Sequence, residues 1–490
     1  MYEKIFVLDT NIICIDGEAY NAFEDNIVVA PSVIRGEADK LKKRSDESGY
    51  NARLYLRKTE KLTRKYDLVK NPAPTKGDGL FYESYTYNIN GKEPLHYIAD
   101  IGEHDLDIIR CAKVLMDANP DKYVEIVAND RNLLAVARQN GLVANEWKRD
   151  EVKLESIPSM QEEVVNSELL NYINLEMYHQ ERRTVLTEKL LADFGVEISD
   201  YPHNKYVIVK GSKNDEPRAK QIFCYDINEN ALMPISLDLT MPIGGIRPKN
   251  IEQIILMDAI MNKNNWVVAA HGPPGTGKTL CMLACALEMT YRKKKVDKDD
   301  EAVIYLTKPA INVGGEEYGF LPGDITAKVA MNYKGISKNL RKIMAWWRRT
   351  EFDSQGNITI KNDEYMRDDI GKNLDELESH GYVEVYPLGH LRGDTIMPNE
   401  ILLVDEAQNT LPSVMKAITT RIEDGSKLLI SGDPHQVDNP LARPEYNGLS
   451  SILNEISKRS DPKYRFNAAV HLTKSERGIV SEFYYNKFNS

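Results

Sequence analysis

The feature that most constrains this 490-residue chain is Trp266-Val-Val-Ala-Ala-His271, followed by Gly272-Pro273-Pro274-Gly275-Thr276-Gly277-Lys278-Thr279 and an Ala-rich apolar stretch. An apolar run, a glycine-rich turn ending in Lys-Thr and a helix-forming segment make the strand–loop–helix unit that the GxxxxGK[ST] pattern requires. Glycines let backbone N–H groups wrap phosphates, and the N-terminus of the following helix adds favourable partial charge. Lys278 is placed to reach the β- and γ-phosphates, and Thr279 to ligate Mg2+. ATP and Mg2+ are therefore the cofactors expected here.

Two further strand ends extend the pattern. Ile401-Leu-Leu-Val404 delivers Asp405 and Glu406, acids that are costly at the end of a buried strand unless they are paired or used. Asp405 suits an outer-sphere Mg2+ role, and Glu406 is placed to orient or deprotonate an attacking water. Lys427–Ser431 runs into Gly432-Asp433-Pro434-His435-Gln436. Gln436 either senses the γ-phosphate or water, or belongs to a surface turn. Arg392 and Arg477 are the candidates for stabilising transferring charge, within one subunit or across an interface.

The chain is long enough for two or more cores. With 42% hydrophobic and 28% charged residues it is neither disordered nor fibrous. A net charge of −11 excludes a wholly basic nucleic-acid binder but not a local basic channel. The five cysteines form no CxxC and suit a reducing compartment. With neither a leader pattern nor an 18-residue apolar stretch, the expectation is a cytoplasmic protein without a membrane span.

The N-terminal part alternates strand and helix patterns. Residues 5–8 end at Asp9, Ile27–Ala30 lead into a helix carrying Glu37, a helix over 102–119 carries Asp105, and Val124–Ala128 run into Asn129 and Asp130. Groups after the C-terminal ends of parallel strands gather at one sheet edge. Clustered carboxylates repel unless a cation neutralises them, and an all-oxygen set suits Mg2+ or Mn2+. Asp9, Glu37, Asp105 and Asp130 are thus either metal ligands or ordinary loop acids. Asp107 is an extra acid nearby, and Asn11 and Asn129 are candidate supporting groups. Residues 40–70 carry eleven Lys/Arg against four Asp/Glu, which is either a phosphate-guiding surface or a solvated helix face. Residues 71–97 read as an irregular or hairpin insertion. His271, Cys281 and Cys285 read as packing residues.

The stretches LTKPAINVGGEEYGFLPGD (306–324), VEVYPLGHLRGDTI (383–396), VDEAQN and SGDPHQ resemble the PhoH-like ATPase family, a P-loop group related to superfamily-1 helicases. The resemblance covers about 245–488. It implies that Lys278 and Thr279 form the Walker A pair, Asp405 and Glu406 the Walker B pair, and Gln436 the sensor. It also implies that Gln253 contacts adenine, that Arg392 and Arg477 approach the nucleotide, and that subunits form a homo-oligomer, a hexameric ring being favoured. Residues 346–371 depart from it as a longer polar insertion, either a hairpin at the substrate face or a surface segment. VLDTNI (7–12), APSVIRGEADKLKK (30–43), DLDII (105–109) and VANDRNLLAVARQNGL (127–142) resemble the PIN nuclease domain. Asp9, Glu37, Asp105 and Asp130 fall on its acidic positions.

The expected fold is α/β throughout. A PIN-like parallel-sheet domain spans 1–148, a helical connector 149–202, a small β-rich subdomain 203–244 and a P-loop NTPase domain 245–490. The combination implies an ATP-dependent RNA helicase or translocase with a metal-dependent endoribonuclease, acting on RNA that is single-stranded or has a single-stranded tail. The competing reading is a nucleotide-controlled RNA-binding or assembly protein whose PIN domain is a non-catalytic scaffold.

Overall fold

The computed structural model describes residues 4–44, 47–83, 102–147, 160–180, 184–235, 237, 242–296, 302–309, 333–347, 350–352, 358–360, 377–386, 388, 394–439, 442–458, 465–478 and 487. The chain divides into two compact units, Met1–Arg149 and Asp150–Ser490.

The first unit is built on strands β1 (Lys4–Leu8), β2 (Ile27–Ala30), β3 (Ala73–Pro74), β4 (Leu80–Glu83), β5 (Tyr123–Ala128) and β6 (Val143–Glu146). They lie in the order β3-β4-β2-β1-β5-β6, all parallel except the β3/β4 hairpin. Helices α1 (Thr10–Ile15), α2 (Ser32–Leu41), α3 (Glu47–Thr63), α4 (Glu103–Ala118) and α5 (Arg131–Gln139) make the connections. Apolar runs such as IVVA arise because both sheet faces are covered. Ile5, Val7, Ile27, Val29 and Ile126 pack with Ile108, Ile109, Leu133 and Leu134 on one face. Leu8, Val28, Ala30 and Phe81 pack with Ile12, Ile13, Ile34 and Tyr55 on the other. Each such Leu or Ile contributes roughly 1.5–3 kcal/mol. Because β1 lies between β2 and β5, their C-terminal ends present Asp9, the start of α2, and Asp130 side by side. Of the expected 71–97 insertion, the described part is the β3/β4 hairpin; residues 84–97 lie outside the described residues.

In the second unit a small sheet comes first. Its elements are β7 (Gln161–Val165), α6 (Ser167–Gln180), β8 (Leu186–Thr187), α7 (Glu188–Asp193), β9 (Tyr206–Lys210), β10 (Ile222–Asp226) and β11 (Ala231–Pro234), with strand order β7-β9-β10-β11-β8. The segment expected to be a helical connector thus supplies two of the five strands. QEEVV alternates too weakly to announce a strand, and it is recruited by pairing with the fully buried β9.

The larger sheet follows α8 (Ile251–Met261). It comprises β12 (Val267–His271), α9 (Lys278–Val296), β13 (Ile304–Thr307), α10 (Lys334–Trp347), the hairpin β14 (Thr350–Phe352) and β15 (Ile358–Ile360), β16 (Val383–Val385), β17 (Ile401–Val404), α11 (Pro412–Thr419), β18 (Lys427–Gly432), α12 (Gly448–Ser457) and β19 (Asn467–His471). The order β16-β13-β17-β18-β12-β19 is parallel throughout, with the β14/β15 hairpin outside it. Val268, Ala270, Leu403 and Leu429 face α8, α9 and α10, while Ala269, Leu402, Val404 and Ile430 face α11 and α12. Lys427, at the start of β18, is 7% exposed. Its Nζ donates to the carbonyls of Ile260 (2.7 Å), Asn262 (3.0 Å) and Asn265 (2.6 Å). It caps the C-terminus of α8, where a cation is favoured.

Candidate functional sites

The ends of β13, β17, β18, β12 and β19 surround the 272–279 loop. Gly272, Gly275 and Gly277 have φ of 137°, 88° and 94°, a path that only glycine follows without strain. A Cβ on Gly275 would lie 2.7 Å from Arg477 Cγ, so its absence lets that side chain lie across the loop. The chain after β19 is fastened to the loop by Leu472 N–H to the His271 carbonyl and Glu476 N–H to the Gly275 carbonyl, both 2.9 Å. Asn250 Nδ2 donates to Glu476 Oε1 at 2.8 Å and Lys249 pairs with it at 3.7 Å.

Lys278 Nζ donates to the carbonyls of Gly272 (2.6 Å) and Pro273 (2.9 Å). Burial lowers its pKa, against the opposing pull of Asp433, Glu406 and Asp405. Thr279 Oγ1 and Ser431 Oγ both donate to Asp405 Oδ1, at 2.9 and 2.5 Å. Burial and the neighbouring Glu406 raise the pKa of Asp405. Glu406 adopts φ 55°, ψ 41°, a left-handed conformation that costs a non-glycine residue about 1–2 kcal/mol and clusters at functional positions.

Lys278, Thr279, Asp405, Glu406, Gln436 and Arg477 share one cavity of about 450 Å3. Its glycine cradle, lysine and buried carboxylate are the donor set that suits a nucleotide triphosphate with Mg2+. Gln253 is 5% exposed. Its Oε1 accepts from Lys249 N–H (2.8 Å) and its Nε2 donates to the Thr276 carbonyl (2.9 Å), bracing the loop. Arg392 lies outside the described residues. His271 stacks on His471 with centroids 4.3 Å apart. Desolvation and that neighbour push its pKa down to about 3, so it packs as a neutral ring.

Sequence reasoning missed Asn339 and Lys342 of α10, which line the same cavity, because an amphipathic helix far along the chain gives no motif. It also missed Lys308, 4.0 Å from Glu406, and the buried Ser431 and Gln408. For those two, a polar residue beside an apolar strand was a usable signal.

In the first unit Asp9 is 3% exposed and its Oδ2 has no hydrogen-bond partner. Burial first, then the charges of Asp105 and Asp130, raise its pKa to about 7. Asp105 is raised by burial and by Asp130 and Glu37. Asp105 and Asp130 thus act on Asp9 through space, and Asp130 and Glu37 on Asp105. Glu37 accepts the Thr10 hydroxyl and lies 4.0 Å from His104. Asp130 Oδ1 caps α5 through the N–H groups of Asn132 (2.7 Å) and Leu133 (3.2 Å).

Among the described residues, no group of three or more His, Cys, Asp or Glu side chains is placed to hold a metal ion. Mg2+ requires only one or two carboxylates with water completing its shell, and the orphaned, desolvated Asp9 oxygen fits such an ion. Asp107 is exposed and pairs with Arg110 at 3.0 Å, outside this group. Asn129 Oδ1 instead accepts from Trp147 N–H at 3.1 Å.

Comparison with known proteins matches two families to these two units. The PIN domain family matches residues 6–148, and the family described as PhoH-like protein matches 245–475. The chain is a PIN domain fused to a PhoH-like domain. Protein PhoH2 of Bacillus subtilis (strain 168) is 27% identical over 98% of each chain. Protein PhoH2 of Mycolicibacterium smegmatis is 25% identical, covering 98% of this chain and 95% of its own. A PhoH-like protein of Mycobacterium tuberculosis (strain H37Rv) is 33% identical over 47% of this chain and 56% of its own.

Within the PIN domain, some cations of the basic 40–70 segment are tied down locally. Arg53 donates to the carbonyls of Lys42 and Arg44, Lys58 pairs with Glu18, and Arg64 with Glu60. Arg57 and Lys61 remain exposed on one face of α3. Among the described residues, no helix is long and apolar enough to cross a membrane.

Proposed function

We propose that the chain is an ATP-dependent RNA helicase or translocase of the superfamily-1-related type, coupled to a metal-dependent endoribonuclease. The observation that carries the first half is the shared grip of Thr279 and Ser431 on Asp405 beside Glu406, facing a glycine cradle. Lys278, now held on its loop carbonyls, would turn to the β- and γ-phosphates, and Thr279 and Asp405 would hold Mg2+. Glu406 takes the proton of the attacking water as the bond from the γ-phosphorus to the bridging oxygen breaks and ADP leaves. Gln436 and Arg477, which line the cavity, would face the phosphates, Arg392 is a second candidate cation, and Gln253, which braces the loop, would contact the adenine. Domain limits of 1–148 and 245–490 frame the two activities, with 149–202 and 203–244 joining them.

For the second half the carrying observation is the buried Oδ2 of Asp9, which has no hydrogen-bond partner and lies among acids. Asp9, Glu37, Asp105 and Asp130 would hold Mg2+ or Mn2+. Such an ion neutralises the acids, activates water and stabilises a leaving phosphate oxygen. Arg57 and Lys61 suit the backbone of a single-stranded RNA or tail.

The test is a labelled, structured RNA with Mg2+ or Mn2+, with and without ATP, read for cleavage and strand displacement together. Metal-dependent cleavage and ATP-dependent displacement are expected. Nucleotide-dependent binding without either would favour an assembly protein with a scaffold PIN domain. We further propose a cytoplasmic homo-oligomer, a hexamer in which an arginine completes each nucleotide site. Light scattering with an Mg-ATP analogue is expected to show assembly. A monomer with full RNA-stimulated ATPase activity would refute it.

A further inference from the structure

Gln408 sits in the turn after β17 and is 1% exposed. Its carboxamide is committed three ways. Oε1 accepts the Asp433 N–H at 3.1 Å, while Nε2 donates to Glu406 Oε2 at 2.7 Å and to the Gln436 carbonyl at 3.0 Å. Two N–H hydrogens thus meet two acceptors, one on the acid and one on the turn that ends in Gln436. The approach depends on Gly432, where a Cβ would fall 2.2 Å from Gln408 Oε1. The other oxygen of Glu406 is 4.0 Å from Lys308 Nζ.

We infer that Gln408 is a positioning residue that aims the Glu406 carboxylate and locks it to the 433–436 turn. The acid that receives the water proton and the turn expected to feel the γ-phosphate then move as one body. Gln408 makes no contact with the reacting atoms; it acts through Glu406. A buried carboxamide with all three bonds satisfied is a stiff link, and a carboxylate released from it would sample orientations unsuited to proton transfer. This assignment rests on the ATPase reading above.

Two variants of the full chain test it. Gln408→Glu keeps an acceptor for the Asp433 N–H but loses the donor to Glu406. Gln408→Met keeps the length and loses both. Steady-state ATP hydrolysis, affinity for a fluorescent ADP analogue and melting temperature are measured for each, in the wild-type and Glu406→Gln backgrounds. The expected result is a fall in kcat of about tenfold or more, with KM and ADP affinity within about threefold. Little further loss is expected in the Glu406→Gln background, because coupled residues are non-additive. A purely structural Gln408 would lower the rate equally in both backgrounds or weaken ADP binding, and either outcome overturns the assignment. If Gln408→Met unfolds, Gln408→Glu carries the test. Wild-type kcat in Gln408→Glu would refute the assignment and leave the ATPase reading standing. A wild-type protein that hydrolyses no ATP would remove both.

Discussion

Glu406→Gln is expected to reduce ATP hydrolysis by roughly 10²–10³-fold while nucleotide binding survives. The substitution keeps the shape and an oxygen that can accept from Gln408, so the turn at 406–409 has no steric reason to rearrange. What disappears is the carboxylate proposed to take the water proton, and with it the charge that faces Lys308 across 4.0 Å. Lys278→Ala should behave differently. It removes the cation that fills the loop carbonyls of Gly272 and Pro273, so affinity for ATP should fall together with turnover. Phosphate release and binding of a fluorescent nucleotide, measured on the same preparations, separate the two. Turnover at the wild-type rate in purified Glu406→Gln protein would sink the role given to that residue.

The parts of this architecture legible in the sequence were those in which one local pattern does one job. Strands buried on both faces read as IFVL, IVVA and ILLV; the first and last run directly into Asp9 and Asp405, and IVVA leads into the helix that carries Glu37. The helix carrying Asp105 could be bounded from its pattern because Gly102 and Asn119 flank it as caps. Contributions that depend on distant segments meeting were not legible. Gln408 looks like one more polar turn residue until Asp433 and Gln436 are brought against it from the next strand. Asn339 and Lys342 belong to a helix whose amphipathic pattern says only that it packs on something. β7 and β8 are strands because of their neighbours rather than their composition. The alternatives for 40–70 also needed structure, since only there does Arg53 turn back onto the carbonyls of Lys42 and Arg44.

Asp9→Asn is expected to abolish RNA cleavage, leave ATP hydrolysis close to wild type, and stabilise the metal-free PIN domain in a pH-dependent way. Asp9 ends the first strand of a unit whose acids are separate in sequence from Lys278 and Glu406. Asparagine is nearly isosteric but lacks the charge proposed to hold a divalent ion. The stability argument has a definite sign. The carboxyl titrates near 3.8 when exposed and at about 7 when folded. Between those values the folded state keeps a proton that the unfolded state has lost, so stability falls as pH rises and the penalty is complete above the folded value. Its size is of the order of a few kcal/mol at most. Asp9→Asn removes the penalty, so the N-terminal unit should melt higher than wild type at pH 8 and show little such gain near pH 4. Mg2+ or Mn2+ should raise the wild-type transition at pH 8 and shift the variant much less, because a bound cation offsets the cost of the buried charge and its repulsion by Asp105. Melting curves at both pH values, with and without metal, accompany cleavage and ATPase assays of identically prepared proteins. Cleavage by Asp9→Asn at the wild-type rate would place the nuclease elsewhere. An equal metal-induced shift in both proteins would show that the buried oxygen of Asp9 does not hold the ion.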